Sequence, residues 1–199
     1  MNIALSIQND SSATAPTLVL FCCSGATSAP AIAWKVIRNC PSGWRHPFVF
    51  SSTAELDISD AHGNHVTPLA ARHGMVFALL PEWRGRRLIR CRSSCASDRI
   101  VVRNDMKSGA VHANLYRNKR LFSRIRLAPG SVGQLACVPT LWVGIAEAVS
   151  EGGAFLPQQL CPDAKAFCLQ GLGSAVLVLR EQPDGSGNYQ IALERQVPA

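Results

Sequence analysis

The stretch AVHANLYRNKRLFSRIRL, from Ala110 to Leu127, decides how the chain is read. Apolar and polar residues alternate on both sides of a short polar centre, the pattern of two strands joined as a hairpin. Val111, Ala113 and Leu115 point one way, and so do Leu121, Ile125 and Leu127. Side chains alternate across a strand, so the two apolar sets must share the core face. A two-residue loop at Asn118 and Lys119 would set Leu115 against Phe122 and put the sets on opposite faces. A three-residue loop over 118–120 sets Leu115 against Ser123, Ala113 against Ile125 and Val111 against Leu127. A one-residue slip flips a whole face, so the second register is predicted. It places Tyr116 opposite Phe122, Asn114 opposite Arg124 and His112 opposite Arg126 on the outer face. An aromatic pair beside two arginines suits a flat or anionic ligand. Cross-strand aromatic pairs are also ordinary sheet chemistry.

The same pattern recurs along the chain. Short apolar runs, among them 2–8, 16–23, 31–38, 46–50, 75–80, 98–103, 132–137, 141–149, 174–180 and 189–195, alternate with turn signals such as Asn9-Asp10-Ser11, His62-Gly63-Asn64, Ala128-Pro129-Gly130 and Pro183 to Gly187. This spacing predicts an all-β fold, an antiparallel β-sandwich of many short strands with at most one or two short helical turns. Helical evidence is thin. The best candidate, Trp142 to Val149, is short, and 155–168 is broken by Pro157 and Pro162. No clean linker or internal repeat divides the 199 residues, so a single all-β domain over 1–199 is expected.

With 47% hydrophobic and 17% charged residues the composition is that of a globular chain rather than a disordered one. No apolar run is long enough for a membrane-spanning helix. MNIALSIQND carries no basic region ahead of an apolar run and reads as a first strand through Ile3, Leu5 and Ile7. A cytoplasmic protein without integral membrane association is therefore expected. The eight cysteines are read as reduced and structural, several of them inside apolar runs, as Cys22, Cys23, Cys137 and Cys168 are.

Charge is the strongest functional signal. The net charge is +7, and thirteen of the twenty Lys and Arg residues fall between Arg84 and Arg126, with only Asp98 and Asp105 among them. That balance favours an anionic partner, nucleic acid or an anionic glycan. In WRGRRLIRCRSS, Arg86, Leu88, Arg90 and Arg92 share one strand parity, and Trp83 is placed to stack a base. No nucleic-acid-binding signature accompanies the charge. The candidate ligand-binding residues are Arg84, Arg86, Arg87, Arg90, Tyr116, Phe122, Arg124 and Arg126.

Other constellations are weaker. Asp57, Asp60, His62, His65 and His73 lie close in sequence and would suit a metal-dependent enzyme if they converged, but they are also ordinary turn residues. Cys91 with Cys95, and Cys161 with Cys168, lack zinc-ribbon spacing. Gly130-Ser131-Val132-Gly133 is not a nucleophile elbow, and Gly171-Leu172-Gly173 is not a dinucleotide fingerprint. No catalytic residue, metal or cofactor is expected. The leading expectation is a non-enzymatic binding or self-assembling protein, as a homo-oligomer.

AWKVI at 33–37, HPFVF at 46–50, DAHGN at 60–64, VRNDM at 102–106, SGA at 108–110 and ANLY at 113–116 occur in this order, ending near Pro139-Thr140. In that order the chain resembles a group of small, mostly microbial, uncharacterised proteins of similar length. The resemblance covers most of the chain and implies one compact all-β domain. It brings no activity and no functional residue with it.

Overall fold

A computed structural model describes the chain except for residues 1, 13–15, 23–29, 84, 96–97, 147, 161–163 and 183–187. Arg84, Cys23, Cys161 and the turn at Pro183 to Gly187 therefore lie outside the described residues. The fold is all-β and sandwich-like. Its strands are β1 (Asn2–Asn9), β2 (Leu18–Phe21), β3 (Ala31–Ile37), β4 (Arg45–Ser51), β5 (Ala54–Asp60), β6 (Leu69–Ala71), β7 (Met75–Glu82), β8 (Gly85–Ser94) and β9 (Arg99–Asn104), followed by β10 (Val111–Arg117), β11 (Arg120–Leu127), β12 (Val132–Ala136), β13 (Thr140–Ile145), β14 (Ala154–Phe155), β15 (Lys165–Cys168), β16 (Leu172–Glu181) and β17 (Tyr189–Pro198). Among the described residues the helical content is one 3-10 turn, Pro157–Gln159. None of their helices is long and apolar enough to cross a membrane.

The chain divides into two compact units. Unit 1 comprises Met1–Ser52 and Pro139–Ala199, and unit 2 is Thr53–Val138. Unit 1 has a sheet of order β17-β16-β1-β4 and one of order β14-β3-β2-β13-β15. The first strand is as its alternation predicts, with Ile3, Leu5 and Ile7 all buried. Trp34 of β3 packs edge-on against Phe48 and Phe50 of β4, which joins the two sheets. All four residues of β2 are buried because the segment after β13 covers its second face. There Val19 and Phe21 meet Ala146, Val149, Phe155 and Leu160.

Unit 2 has sheets of order β11-β10-β5-β6 and β12-β9-β7-β8. Their buried faces carry Leu56, Ile58, Ala113 and Leu115 on the first, and Phe77, Leu79, Ile100 and Val102 on the second. Asn104, fully buried at the end of β9, donates from Nδ2 to the carbonyls of Leu127 (3.2 Å) and Ala128 (3.1 Å), fixing the turn after β11. Most ladders are antiparallel, but β1 pairs with β16, and β7 with β9, in parallel.

The hairpin of β10 and β11 follows the predicted pairs Val111/Leu127, Ala113/Ile125, Leu115/Ser123, Asn114/Arg124 and His112/Arg126. Its tip differs. Arg117 pairs with Arg120 across a two-residue turn in which Asn118 (φ 51°) and Lys119 (φ 63°) are both left-handed, the conformation of a type I′ turn. A bulge between the Leu115 and Tyr116 pairs absorbs the extra residue. Tyr116 therefore pairs with Leu121, not Phe122. Phe122 is buried at 1% exposure, so the exposed aromatic pair expected from the sequence does not form.

Candidate functional site

Strand β5 and the chain just after it organise the most structured polar region of unit 2. Asp60 ends β5 and caps the turn that follows. Its Oδ1 accepts from the backbone N–H of His62 (2.9 Å) and of Asn64 (2.8 Å), and its Oδ2 accepts from Asn64 Nδ2 (2.9 Å) and from Arg86 of β8. The Asn64 amide, with the backbone donors and the Arg86 guanidinium, holds the Asp60 carboxyl well below the usual carboxylate range. The capped turn sends the chain back along β5, where His65 bridges to Ser59. Cross-strand partners share a face, so His65 lies on the same side as Ser59 and Asp57. There His65 Nδ1 meets Asp57 Oδ2.

Asp57 is only 5% exposed, and its other oxygen, Oδ1, is buried with no hydrogen-bond partner. Asn114 of β10 pairs with Asp57, accepts from Arg124 Nε (2.7 Å) and donates to Ser59 Oγ (3.0 Å). Tyr116 flanks this row. Burial, helped by the negative charge of Asp57, pushes its hydroxyl above the ordinary phenol range, against the pull of Arg124. The outer face of the β11-β10-β5-β6 sheet thus carries His112, Asn114, Tyr116, Arg124 and Arg126 over a buried acid.

A cleft of about 720 Å³ opens between His65–Leu69 and the start of β8, lined by Asn64, His65, Thr67, Glu82, Arg86 and Arg87 among others. Arg86 is partly buried and committed to Asp60. Arg87 is 69% exposed, with Glu82 Oε1 at a loose 3.8 Å. β8 is an edge strand, and Arg90 and Arg92 are exposed along it. The parity shared by Arg86, Leu88 and Arg90 is the inward one, for Leu88 is buried between them, so the arginines of β8 divide between its faces. Trp83 stands at the tip of the β7–β8 hairpin, where Glu82 pairs with Gly85, and is 82% exposed.

The structure therefore brings Arg86, Arg87 and His65 to one cleft, with Asp60 bound to Arg86, and Tyr116, Arg124 and Arg126 to one sheet face, while Phe122 leaves that face for the core. Asp57, Asp60, His62, His65 and His73 do not gather as a metal centre would require. Asp57 takes His65 and Asp60 takes Arg86, and no group of three or more His, Cys, Asp or Glu side chains able to hold a metal occurs among the described residues. Cys40, Cys91, Cys137 and Cys168 carry free thiols, and burial pushes those of Cys40 and Cys137 up. Sequence reasoning missed the Asp57–His65 pair as a unit. Its signal was present, an acid in an alternating apolar segment eight residues before a histidine beyond a His-Gly-Asn turn.

The chain matches no protein-family model, no curated protein and no solved structure at a significant level.

Proposed function

We propose that the protein is a binding protein whose unit 2 takes an anionic polymer, single-stranded nucleic acid, along β8 and the cleft beside it. The observation that carries this reading is Trp83. A tryptophan 82% exposed at a hairpin tip, within the chain's most basic stretch, has no role in the core. A flat base stacks on such a ring, and stacking is tolerant of sequence. Arg87, Arg90 and Arg92 are exposed along the edge strand leading away from it, divided between its two faces, so that a phosphate backbone running along this edge would meet arginines on either side. An anionic glycan uses the same charge but gains less from the indole.

The test is fluorescence anisotropy of a labelled single-stranded oligonucleotide, with an anionic glycan as competitor, over a range of salt. Affinity is expected to fall log-linearly with salt, with a slope set by the phosphates neutralised. Trp83→Ala is expected to cost roughly 1–3 kcal/mol if it stacks one base. A complex that survives high salt, or that persists when Arg87, Arg90 and Arg92 become Ala, overturns the reading.

The self-assembling alternative draws on the open sheet edges. Arginines along an edge strand oppose edge-to-edge pairing, which is why ligand binding leads. Light scattering at low and high salt separates the two. A salt-stable homo-oligomer free of nucleic acid supports assembly.

A further inference from the structure

Unit 1 contains a second arrangement of arginines, built differently from the basic strand of unit 2. On the β17-β16-β1-β4 sheet, Ala4 pairs with Ser174, and Ser6 pairs with both Val176 and Pro47. Paired residues share a face, and this face is opposite to the one on which Ile3, Leu5 and Ile7 enter the core. A groove of about 410 Å³ lies on it, lined by Ser6, Arg45, Pro47, Ser174, Val176 and Arg195 among others. Its floor of serines and small residues leaves the space concave. Arg45 comes from β4 and Arg195 from β17, the two edge strands, so cations flank the groove from both sides.

Three further observations bear on what the groove holds. Arg45 Nε donates to Ser6 Oγ at 2.9 Å, and Ser6 is buried. That bond fixes the guanidinium plane and leaves its terminal nitrogens for another acceptor. Neither Arg45 nor Arg195 has an acid within ion-pair range among the described residues, whereas Arg180 nearby is paired with both Glu194 and Asp10. Arg195 also sits in the left-handed region, at φ 48°, where β17 departs from regular pairing between Val176/Glu194 and Ser174/Val197. A bulge re-aims the side chain it carries. A non-glycine residue held there is strained, and such strain collects at ligand-binding positions.

The geometry points to a site for a compact oxyanion, a phosphate dianion or phosphate monoester, clamped between Arg45 and Arg195 over the serine floor of this groove. Arginine forks match phosphate oxygens two at a time, and the hydroxyls of Ser6 and Ser174 are the remaining donors at hand. The site lies wholly within unit 1 and stands whether or not unit 2 binds a polymer.

The test is calorimetric titration of the full chain with inorganic phosphate and pyrophosphate at physiological ionic strength. Saturable binding is expected, weakened at least about ten-fold by Arg45→Ala and by Arg195→Gly, since each removes a charge-assisted pair. Lys165→Ala, exposed on β15 in the other sheet of unit 1, is expected to leave it unchanged. Arg195→Gly relieves the left-handed strain, so it is expected to melt higher while binding more weakly, a combination that a merely structural arginine does not give. Arg195→Lys, which keeps the charge and loses the fork, carries the test if the glycine variant does not fold, and is expected to bind more weakly than wild type. No saturable binding by the wild type, or wild-type affinity in the Arg45 and Arg195 variants, overturns the site. A 5′-hydroxyl oligonucleotide, which carries only diesters, separates the two sources of phosphate. If its binding falls with Arg45→Ala, the groove belongs to a polymer's path and the separate dianion site is overturned.

Discussion

The guanidinium carbon of Arg117 lies 4.6 Å from the centre of the Phe122 ring, and both side chains are almost completely buried. An arginine in a sandwich core is costly unless its charge is met, and an aromatic face meets part of it. The bulge in β11 makes the contact possible by turning Phe122 inward beside Arg117. Phe122→Ala is therefore expected to cost about 3–5 kcal/mol, the range for emptying a buried aromatic site. Phe122→Leu, which refills the volume without the ring, is expected to recover only part of that. Urea unfolding of the two variants measures both.

This hairpin also shows where the sequence runs out as a guide. The pairs from Val111/Leu127 to Leu115/Ser123 were legible because one face of each strand is apolar and the two faces must coincide. Parity rejected a two-residue turn at Asn118 and Lys119. The chain has that turn and restores parity with a bulge, a solution that leaves little trace in the sequence, since it needs only a residue able to face inward at 122. Of the face expected to carry Tyr116, Phe122, Arg124 and Arg126, Phe122 alone turns into the core.

Asp57 and His65 yield a second prediction. With Oδ1 of Asp57 already without a partner, His65 is the side chain that satisfies this buried carboxylate. His65→Ala is expected to destabilise the protein by about 1–3 kcal/mol, the cost of leaving a buried polar group unmet. Asp57→Asn in the same background removes the orphaned charge, so the double variant is expected to lose less than the sum of the single ones. A strictly additive cycle, read from denaturant midpoints, would show that the pair is not coupled.

The strand that carries Asp57 was among those not foreseen. β5 reads AELDISD, and Asp and Glu are poor strand formers. Leu56 and Ile58 nevertheless alternate with them, and burial of those two residues on the core face outweighs the propensity of the acids. β8 was legible as an alternating basic segment, but only the fold shows that Arg86 is committed to Asp60 and that Arg87 is exposed.

Asp60 gives a pH dependence. Its carboxyl is held below the ordinary value in the folded state, first by the Asn64 amide and then by the backbone donors and Arg86. A depressed carboxylate contributes stability that is fully present above the unfolded value, about pH 3.9, and is lost as pH falls below it toward the folded value. The stability difference between wild type and Asp60→Asn is therefore expected to be constant from neutral pH down to the carboxylate range and to shrink on further acidification. Thermal melts across the acid range check this. A difference that grows on acidification would reverse the sign of the linkage.

Gly144 and Leu160 give the last prediction. Gly144 lies in β13, directly opposite Val19, and Leu160 from the covering segment rests on it. A Cβ at 144 would stand 2.8 Å from Leu160 Cδ1 and 3.0 Å from Leu160 Cβ. Because the Leu160 Cβ is part of the obstruction, a rotamer change alone does not clear it, and the segment must lift. Gly144 is not in a left-handed conformation, so backbone strain plays no part and the whole effect is steric. Gly144→Ala is expected to cost about 1–3 kcal/mol, the range for overpacking. Leu160→Ala alone is expected to cost about 2–5 kcal/mol through the cavity it leaves. In the double variant the new methyl group occupies part of that cavity and meets only the Cβ that alanine keeps at 160, no longer Cδ1, so the combined loss is expected to fall short of the sum. If the covering segment did not seat Leu160 on Gly144, the two changes would add, and a double-mutant cycle in urea distinguishes the outcomes.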